Sequence, residues 1–270
     1  MPLVVCPTPI GNLEDVTLRA LRELGDADLV LCEDTRRTRI LLDRHGIRAR
    51  TLSFHRHNEA RRTAEVLPRL EAGDRIALAS DAGLPGVSDP GARLVAAALA
   101  AGLEVTVLPG PSAVDTALVA SGLLGERYAF VGYLPRTGTG LERLWEELRG
   151  WRWPVVAFES PRRLPATLAG LAETEPERPV AVCRELTKRF EEVARGTLRE
   201  LSVRFASPPR GEITIVIGSV GDAAADEAPP AETMAAVAEL VAAGVPRRKA
   251  ADLVARLTGV SRNDLYRGSL

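Results

Sequence analysis

Lysine is almost missing from this 270-residue chain: it occurs only at Lys188 and Lys249, so nearly all of the 35 basic residues are arginine. A coding bias toward Arg and Ala explains that as readily as a demand for phosphate binding, so raw arginine counts carry little weight. Net charge is scarce too, at −1, which leaves no global field to steer the protein toward nucleic acid, a membrane or an acidic partner. A local patch remains open. Cysteine is limited to Cys6, Cys32 and Cys183, far apart and without metal-ligand spacing. Cys6 and Cys32 fall in apolar runs, where a free thiol behaves as a small buried hydrophobe. No apolar run approaches the roughly 18–20 residues that span a bilayer, and no signal-peptide pattern opens the chain. The expectation is a soluble, cytoplasmic protein. Neither GxGxxG after the first strand-like run nor a P-loop occurs, which speaks against an ordinary Rossmann cofactor site and a nucleotide triphosphate site.

What is present is ordinary globular material, 46% apolar and 26% charged, enough for two domains and an appendage. Over residues 1–121, short β-rich runs at 3–8, 27–33, 50–55, 75–80 and 104–109 alternate with helical patterns. That succession predicts βαβ units and a mainly parallel sheet covered on both faces. Asn12 is expected to cap a helix reaching Leu24, and Asn58 one reaching Gly73. From 122 to 221 the pattern restarts as a second α/β domain, with strands predicted at 129–134, 154–159, 179–186, 212–219 and 191–196. Residues 222–232 read as a small, acidic, Pro-containing linker. Residues 233–270 read as a small helical bundle that cannot be very stable alone.

In an open parallel sheet, ligands bind outside the carboxyl ends of the strands. This chain crowds its polar and Gly/Pro-rich segments there: PTPIGN (7–12), EDTRRT (33–38), HRHNEA (55–60), SDAGLPGVSDPG (80–91) and PGPSA (109–113). Asp89-Pro90 reads as a helix start, Asp as N-cap and Pro at the first helical position. SDAGLPG exceeds what a turn needs; Gly83 and Gly86 permit positive φ or close backbone approach, and Asp81 is set to meet a cation or a hydroxyl. Ser112 can cap the next helix, with Asp115 closing a capping box. Two histidines, His55 and His57, without a third ligand make a metal site unexpected.

Taken in order, the blocks PTPIGNLEDVTLRAL, EDTRRTRILL, HRHNE, SDAGLPGVSDPG, PGPSA, GYLP, FESPRRL, RELTKRFEE and RGEITIVI resemble the ribosomal RNA small subunit methyltransferase I family. That family lies among the tetrapyrrole-methylase-like, class III methyltransferases. The resemblance spans about residues 1–220, and the tail resembles the family's helical extension. It implies two α/β domains with a cofactor cleft between them, a small C-terminal helical bundle, and a homodimer. It implies S-adenosylmethionine as cofactor and 2′-O-methylation of a cytidine ribose in the decoding region of 16S ribosomal RNA. Carried across by motif, the cofactor residues are Pro9, Ile10 and Gly11; Asp81, Gly83 and Leu84; Ser112 and Ala113; and Phe158, Glu159, Leu186 and Gly211. The chain departs from the family at Leu84, where Thr is usual, and at Phe158, Arg162 and Thr137.

A ribose hydroxyl benefits from a base, and general-base help contributes on the order of 10²–10⁴-fold. The candidates are Glu33, Asp34, Glu59, Glu185 and Lys188, among which the sequence does not choose. Arg36 could hold an RNA phosphate by a bidentate contact, and His57 and Asn58 are further candidates to meet RNA. In the tail, Arg247, Arg248, Lys249 and Arg262 could clamp RNA; a dimer-supporting cap with a solvated face is the other reading. Two further functions stay open: a tetrapyrrole C-methyltransferase on the same fold, and a non-enzymatic RNA-binding or regulatory protein using the tail as a helix-turn-helix.

Overall fold

Short β-rich runs build the first sheet: Leu3–Cys6 (β1), Leu29–Cys32 (β2), Thr51–Ser53 (β3), Ile76–Ala79 (β4) and Val105–Val107 (β5). All pair in parallel, in the order β3-β2-β4-β1-β5. In β1, β2 and β4 every residue is buried, because successive side chains face opposite covered surfaces. Leu3, Val5, Leu29, Leu31, Ile76 and Leu78 pack on one face with Val66, Leu70, Leu94 and Ala98. Those partners come from helices Glu59–Glu71 (α3) and Ala92–Ala100 (α4). Val4, Cys6, Val30, Cys32, Ala77 and Ala79 pack on the other, with Ala20, Leu24, Leu41 and Leu42 of Leu18–Gly25 (α1) and Thr35–Arg44 (α2). The computed structural model describes residues 2–148, 151–219, 231–258, 260 and 262–269.

The second sheet is mixed. Ala129–Tyr133 (β6), Val155–Glu159 (β7), Pro179–Arg184 (β8), Glu192–Thr197 (β9) and Ile213–Ile217 (β10) order as β6-β7-β10-β8-β9, with only β6 and β7 parallel. Gly138–Leu148 (α6), Leu164–Thr174 (α7) and Leu198–Arg204 (α8) cover one face around Leu164, Leu168, Leu198 and Ile215. The other face receives Ala113–Ser121 (α5). Val114, Ala117 and Leu118 of α5 pack against Val156, Ala181, Cys183 and Val216, joined by Ile10 from the loop after β1. So α5 follows β5 in sequence but belongs by packing to the second sheet. That exchange sets the carboxyl ends of the first sheet against the second.

Several local expectations are corrected. Asn12 caps only a 3₁₀ turn, Leu13–Asp15, by accepting from the Glu14 N–H; Thr17 caps α1. Asn58 sits before α3 without capping it. Its Oδ1 accepts from the His55 N–H at 2.8 Å and its Nδ2 donates to the Ser53 carbonyl at 3.2 Å, closing the turn after β3. Asp89 is not the cap of α4, which starts at Ala92 after Gly91 at φ 136°. Gly91 turns the chain so close to β4 that an added Cβ would lie 2.8 Å from the Leu78 Cδ2, and Asp89 falls short of the helix. The orphan N–H groups of Gly91 and Arg93 instead donate to the Glu59 carboxylate, at 2.9 and 3.3 Å. Ser112 does cap α5, accepting from the Asp115 N–H, but Asp115 accepts from the Tyr128 hydroxyl rather than closing a box.

Residues 1–219 form one compact unit and 220–270 another. The linker expected at 222–232 lies outside the described residues except for its last two. In the tail unit, Ala231–Ala242 (α9), Arg247–Thr258 (α10) and Arg262–Gly268 (α11) close on a core of Val237, Ala250, Ala251, Val254 and Leu265.

Candidate active site

The order of the first sheet reverses between β1 and β4, where a parallel sheet opens a crevice. The loops leaving those two strands are stitched there. Thr8 and Gly83 exchange backbone hydrogen bonds of 2.9 Å each way. The Thr8 hydroxyl donates to the Ser80 carbonyl at 3.0 Å, and the Ser80 hydroxyl to the Gly83 carbonyl at 2.7 Å. Gly83 stands at φ 77°, which explains the glycine of SDAGLPG. The Leu84 side chain packs against the first-sheet core, which puts an apolar anchor under this loop.

Above this seam lies a cleft of about 860 Å³, within the 300–1,000 Å³ usual for a small-molecule site. One wall comes from the loops after β1, β2, β4 and β5, and the other from β6, the β7–α7 turn and the segments around Leu186 and Gly211–Thr214. The second wall is apolar and aromatic: Phe158 meets Phe130 and Tyr133 edge to face, at 5.0 and 5.4 Å between centroids. The first wall is acidic, with Glu33, Asp81 and Asp89. Asp81 is engaged: its Oδ1 accepts from the Asp34 N–H at 2.9 Å and its Oδ2 lies 3.6 Å from an Arg37 guanidinium nitrogen. Asp89 has no hydrogen bond or ion pair among the described residues. Burial, with the charges of Glu33 and Asp81 added, pushes its carboxyl up to about 6.

Of the residues expected to hold a cofactor, Ile10, Asp81, Gly83, Leu84, Ser112, Ala113, Phe158, Glu159, Leu186 and Gly211 line this cleft. Pro9 and Gly11 do not. Gly11 packs beneath the β8–β9 loop, where an added Cβ would lie 2.5 Å from the Lys188 Cγ and 2.8 Å from the Leu186 carbonyl oxygen. Glu159 lines the cleft but its carboxylate is occupied. Oε1 accepts from the Ser160 N–H at 2.5 Å and from the Arg163 guanidinium, and Oε2 from the Thr167 hydroxyl at 2.7 Å. Arg163 also donates to the Leu134 and Pro135 carbonyls, so this pair ties the β7–α7 turn to the end of β6.

Among the five candidate bases only Glu33 reaches the cleft. Asp34 caps α2 and takes Arg36 bidentately, at 3.1 and 2.8 Å; those bonds hold its carboxyl down at about 2. Glu59 caps α4. Glu185 and Lys188 pair at 2.8 Å, with Glu212 2.9 Å from the same ammonium. They stand in a strained loop, Glu185 at φ 53° and Thr187 at φ 64°.

The residues expected to meet RNA are dispersed. Arg36 is exposed but paired with Asp34. His57 is exposed, its ring 5.9 Å from that of His55, while Asn58 is buried in its turn. Arg248, Lys249 and Arg262 are exposed and Arg247 half-buried, and all four lie at the starts of α10 and α11 with no ion-pair partner among the described residues. Sequence reasoning missed Asp89, Arg37, Phe130 and Tyr133. For Asp89 the signal was present, since SDPG was visible and was read entirely as helix initiation.

The family model described as Tetrapyrrole (Corrin/Porphyrin) Methylases matches residues 2–202, and one described as RsmI C-terminal HTH domain matches 227–268. A ribosomal RNA small subunit methyltransferase I of Mesorhizobium japonicum is 47% identical over 98% of this chain and 90% of its own length. The protein of that name from Thermotoga maritima is 44% identical over 80% of this chain and 97% of its own length. Among solved structures, the methyltransferase CobJ superposes with a TM-score of 0.63 at 22% identity, covering 82% of this chain and 95% of that one. A Thermus thermophilus uroporphyrin-III C-methyltransferase complexed with S-adenosylhomocysteine gives 0.57 at 18%, covering 81% and 97%. At these identities the structures establish the fold alone.

Proposed function

The chain belongs to the ribosomal RNA small subunit methyltransferase I family of the tetrapyrrole methylases, and we propose from that premise that it 2′-O-methylates a cytidine ribose of 16S ribosomal RNA in the decoding region. The observation that carries the reading is identity of 44–47% to proteins named ribosomal RNA small subunit methyltransferase I, together with the matched tail.

The cofactor is S-adenosylmethionine, which supplies an electrophilic methyl on a cationic sulfur. The residues present fit it: the carboxylates of Glu33 and Asp81 stand opposite an apolar, aromatic wall, suiting a ligand with one cationic centre and one apolar ring. Ile10, Gly83, Leu84, Ser112, Ala113, Phe158, Leu186 and Gly211 would hold it beside Asp81. Pro9 and Gly11 support it through the loop they shape. Methyl transfer is an in-line displacement, so the chain's main contribution is to hold the acceptor oxygen on one axis.

The tail supplies affinity in this reading. Cations at the first turns of α10 and α11 oppose the helix dipoles, and RNA phosphates would offset that conflict. The Thermotoga relative is matched almost wholly by 216 residues, about the length of the first unit, which supports placing the chemistry in that unit and affinity in the tail. A homodimer completes the reading.

The test is transfer of labelled methyl groups to small ribosomal subunits, naked 16S RNA and uroporphyrinogen in parallel, with nuclease digestion and mass spectrometry to locate the label. Label on a cytidine ribose is expected. Label on the macrocycle alone overturns the proposal.

A further inference from the structure

Asp89 belongs to the acidic wall, and the loop that carries it is fixed by residues that do not line the cleft. The loop carrying it, residues 87–91, is gripped on both sides by the HRHNE block after β3. On one side the Arg56 guanidinium donates to the Ser88 carbonyl. On the other the Glu59 carboxylate accepts from the N–H groups of Gly91 and Arg93. Between the two clamps, Ser88 is held at φ 65°, a conformation that costs a non-glycine residue and persists only when its surroundings impose it. Asp89 lines the cleft and makes no hydrogen bond or ion pair among the described residues. Asp81, by contrast, is engaged by the Asp34 N–H and Arg37, and Asp34 and Glu59 are used as helix caps.

We infer that Asp89 accepts the proton of the acceptor ribose hydroxyl, and that Arg56 and Glu59 are positioning residues that aim it into the cleft. The inference rests on the proposed reaction. In that step the O–H bond breaks toward an Asp89 carboxylate oxygen, and the freed lone pair forms the O–C bond. The electron pair of the broken C–S bond stays on sulfur, so a neutral thioether and a protonated carboxyl remain. Asp89 then returns its proton to solvent.

The groups facing Asp89 are Glu33 from the β2–α2 loop, Asp81 from the β4 loop, Arg56 from the β3–α3 loop and Tyr133 from β6. Burial and the two carboxylates raise its proton affinity while Arg56 lowers it, to a net value of about 6. A base with a value near the working pH is an effective one.

The experiment compares wild type with Asp89→Asn, Glu33→Gln, Arg56→Ala and Glu59→Gln in methyl transfer to small ribosomal subunits. Cofactor affinity is measured separately by calorimetry, and carboxyl titration by ¹³C NMR on the cofactor-free protein. Wild-type transfer to ribose is the control for the reaction; without it the proposed function fails, whatever Asp89 does. With it, Asp89→Asn is expected to lower kcat on the order of 10²–10⁴-fold with cofactor affinity changed less than about threefold. Wild-type kcat/KM should rise with pH through a midpoint near 6. Glu33→Gln should move that midpoint down and Arg56→Ala should move it up. Glu59→Gln, weakening the other clamp, should lower kcat with little change in KM. Asp89→Asn turning over at the wild-type rate overturns the inference, as does a loss of cofactor affinity that matches the loss of rate. If Asp89→Asn does not fold, the NMR titration of wild type decides: a carboxyl titrating near 6 supports the assignment, and its absence overturns it.

Discussion

Asp89 also carries a stability signature that needs no substrate. Its carboxyl sits near 6 against an ordinary value of 3.8. Between roughly pH 4 and 6 the folded chain therefore keeps a proton that the unfolded chain has released. Stability from this group is present at low pH and is lost as pH rises through that window. Asp89→Asn removes the buried charge, so the cofactor-free variant should melt higher than wild type at pH 7.5 and level with it at pH 4. A lower melting temperature at pH 7.5, read by scanning calorimetry, would count against this assignment of charge. The residue was visible in the sequence, but its role was hidden: Asp-Pro before an apolar run is also a good helix start. Only the positive φ of Gly91 moves the helix on by two residues. Leu84 is the converse case: where the resemblance leads one to expect Thr, the side chain serves as a packing anchor.

At the scale of elements, apolar periodicity located the strands well, because strands buried on both faces read as short continuous runs bounded by Gly and Pro. Caps were read less well. Asn12, Asn58 and Asp89 each had an appropriate side chain nearby, and each was used otherwise, since a cap depends on where the helix starts and on which distant carboxylate arrives first. The turn after β7 shows how an element end is fixed by a distant partner. Glu159 is fully buried and pairs with Arg163, which reaches the carbonyls at the end of β6. Arg163→Met strands that carboxylate and should cost about 3–5 kcal/mol in urea denaturation. Adding Glu159→Gln to that variant should recover part of the loss, because the buried charge is gone. No recovery in the double variant would mean that the pair contributes through its carbonyl contacts alone.

For the whole molecule, the division of labour between the two units can be tested by removing residues 220–270. The first unit keeps every residue that lines the cleft, so the truncated chain should bind S-adenosylmethionine as wild type does while losing affinity for ribosomal RNA. Filter binding at two salt concentrations should also show a shallower salt dependence, since the phosphate contacts proposed for Arg248, Lys249 and Arg262 are removed. Unchanged RNA affinity would assign the tail to dimer support instead. The sequence alone determined the succession of strands and helices, the crowding of polar loops at one edge of the first sheet and the family, because each of these is a local pattern or an ordered set of motifs. The tertiary structure decided which of those polar residues share a cleft. Five candidate bases on three loops could not be ranked by spacing, since carboxylates are sorted by what they bond to across the fold: caps for α2 and α4, a lysine for Glu185, and open cleft for Glu33 and Asp89.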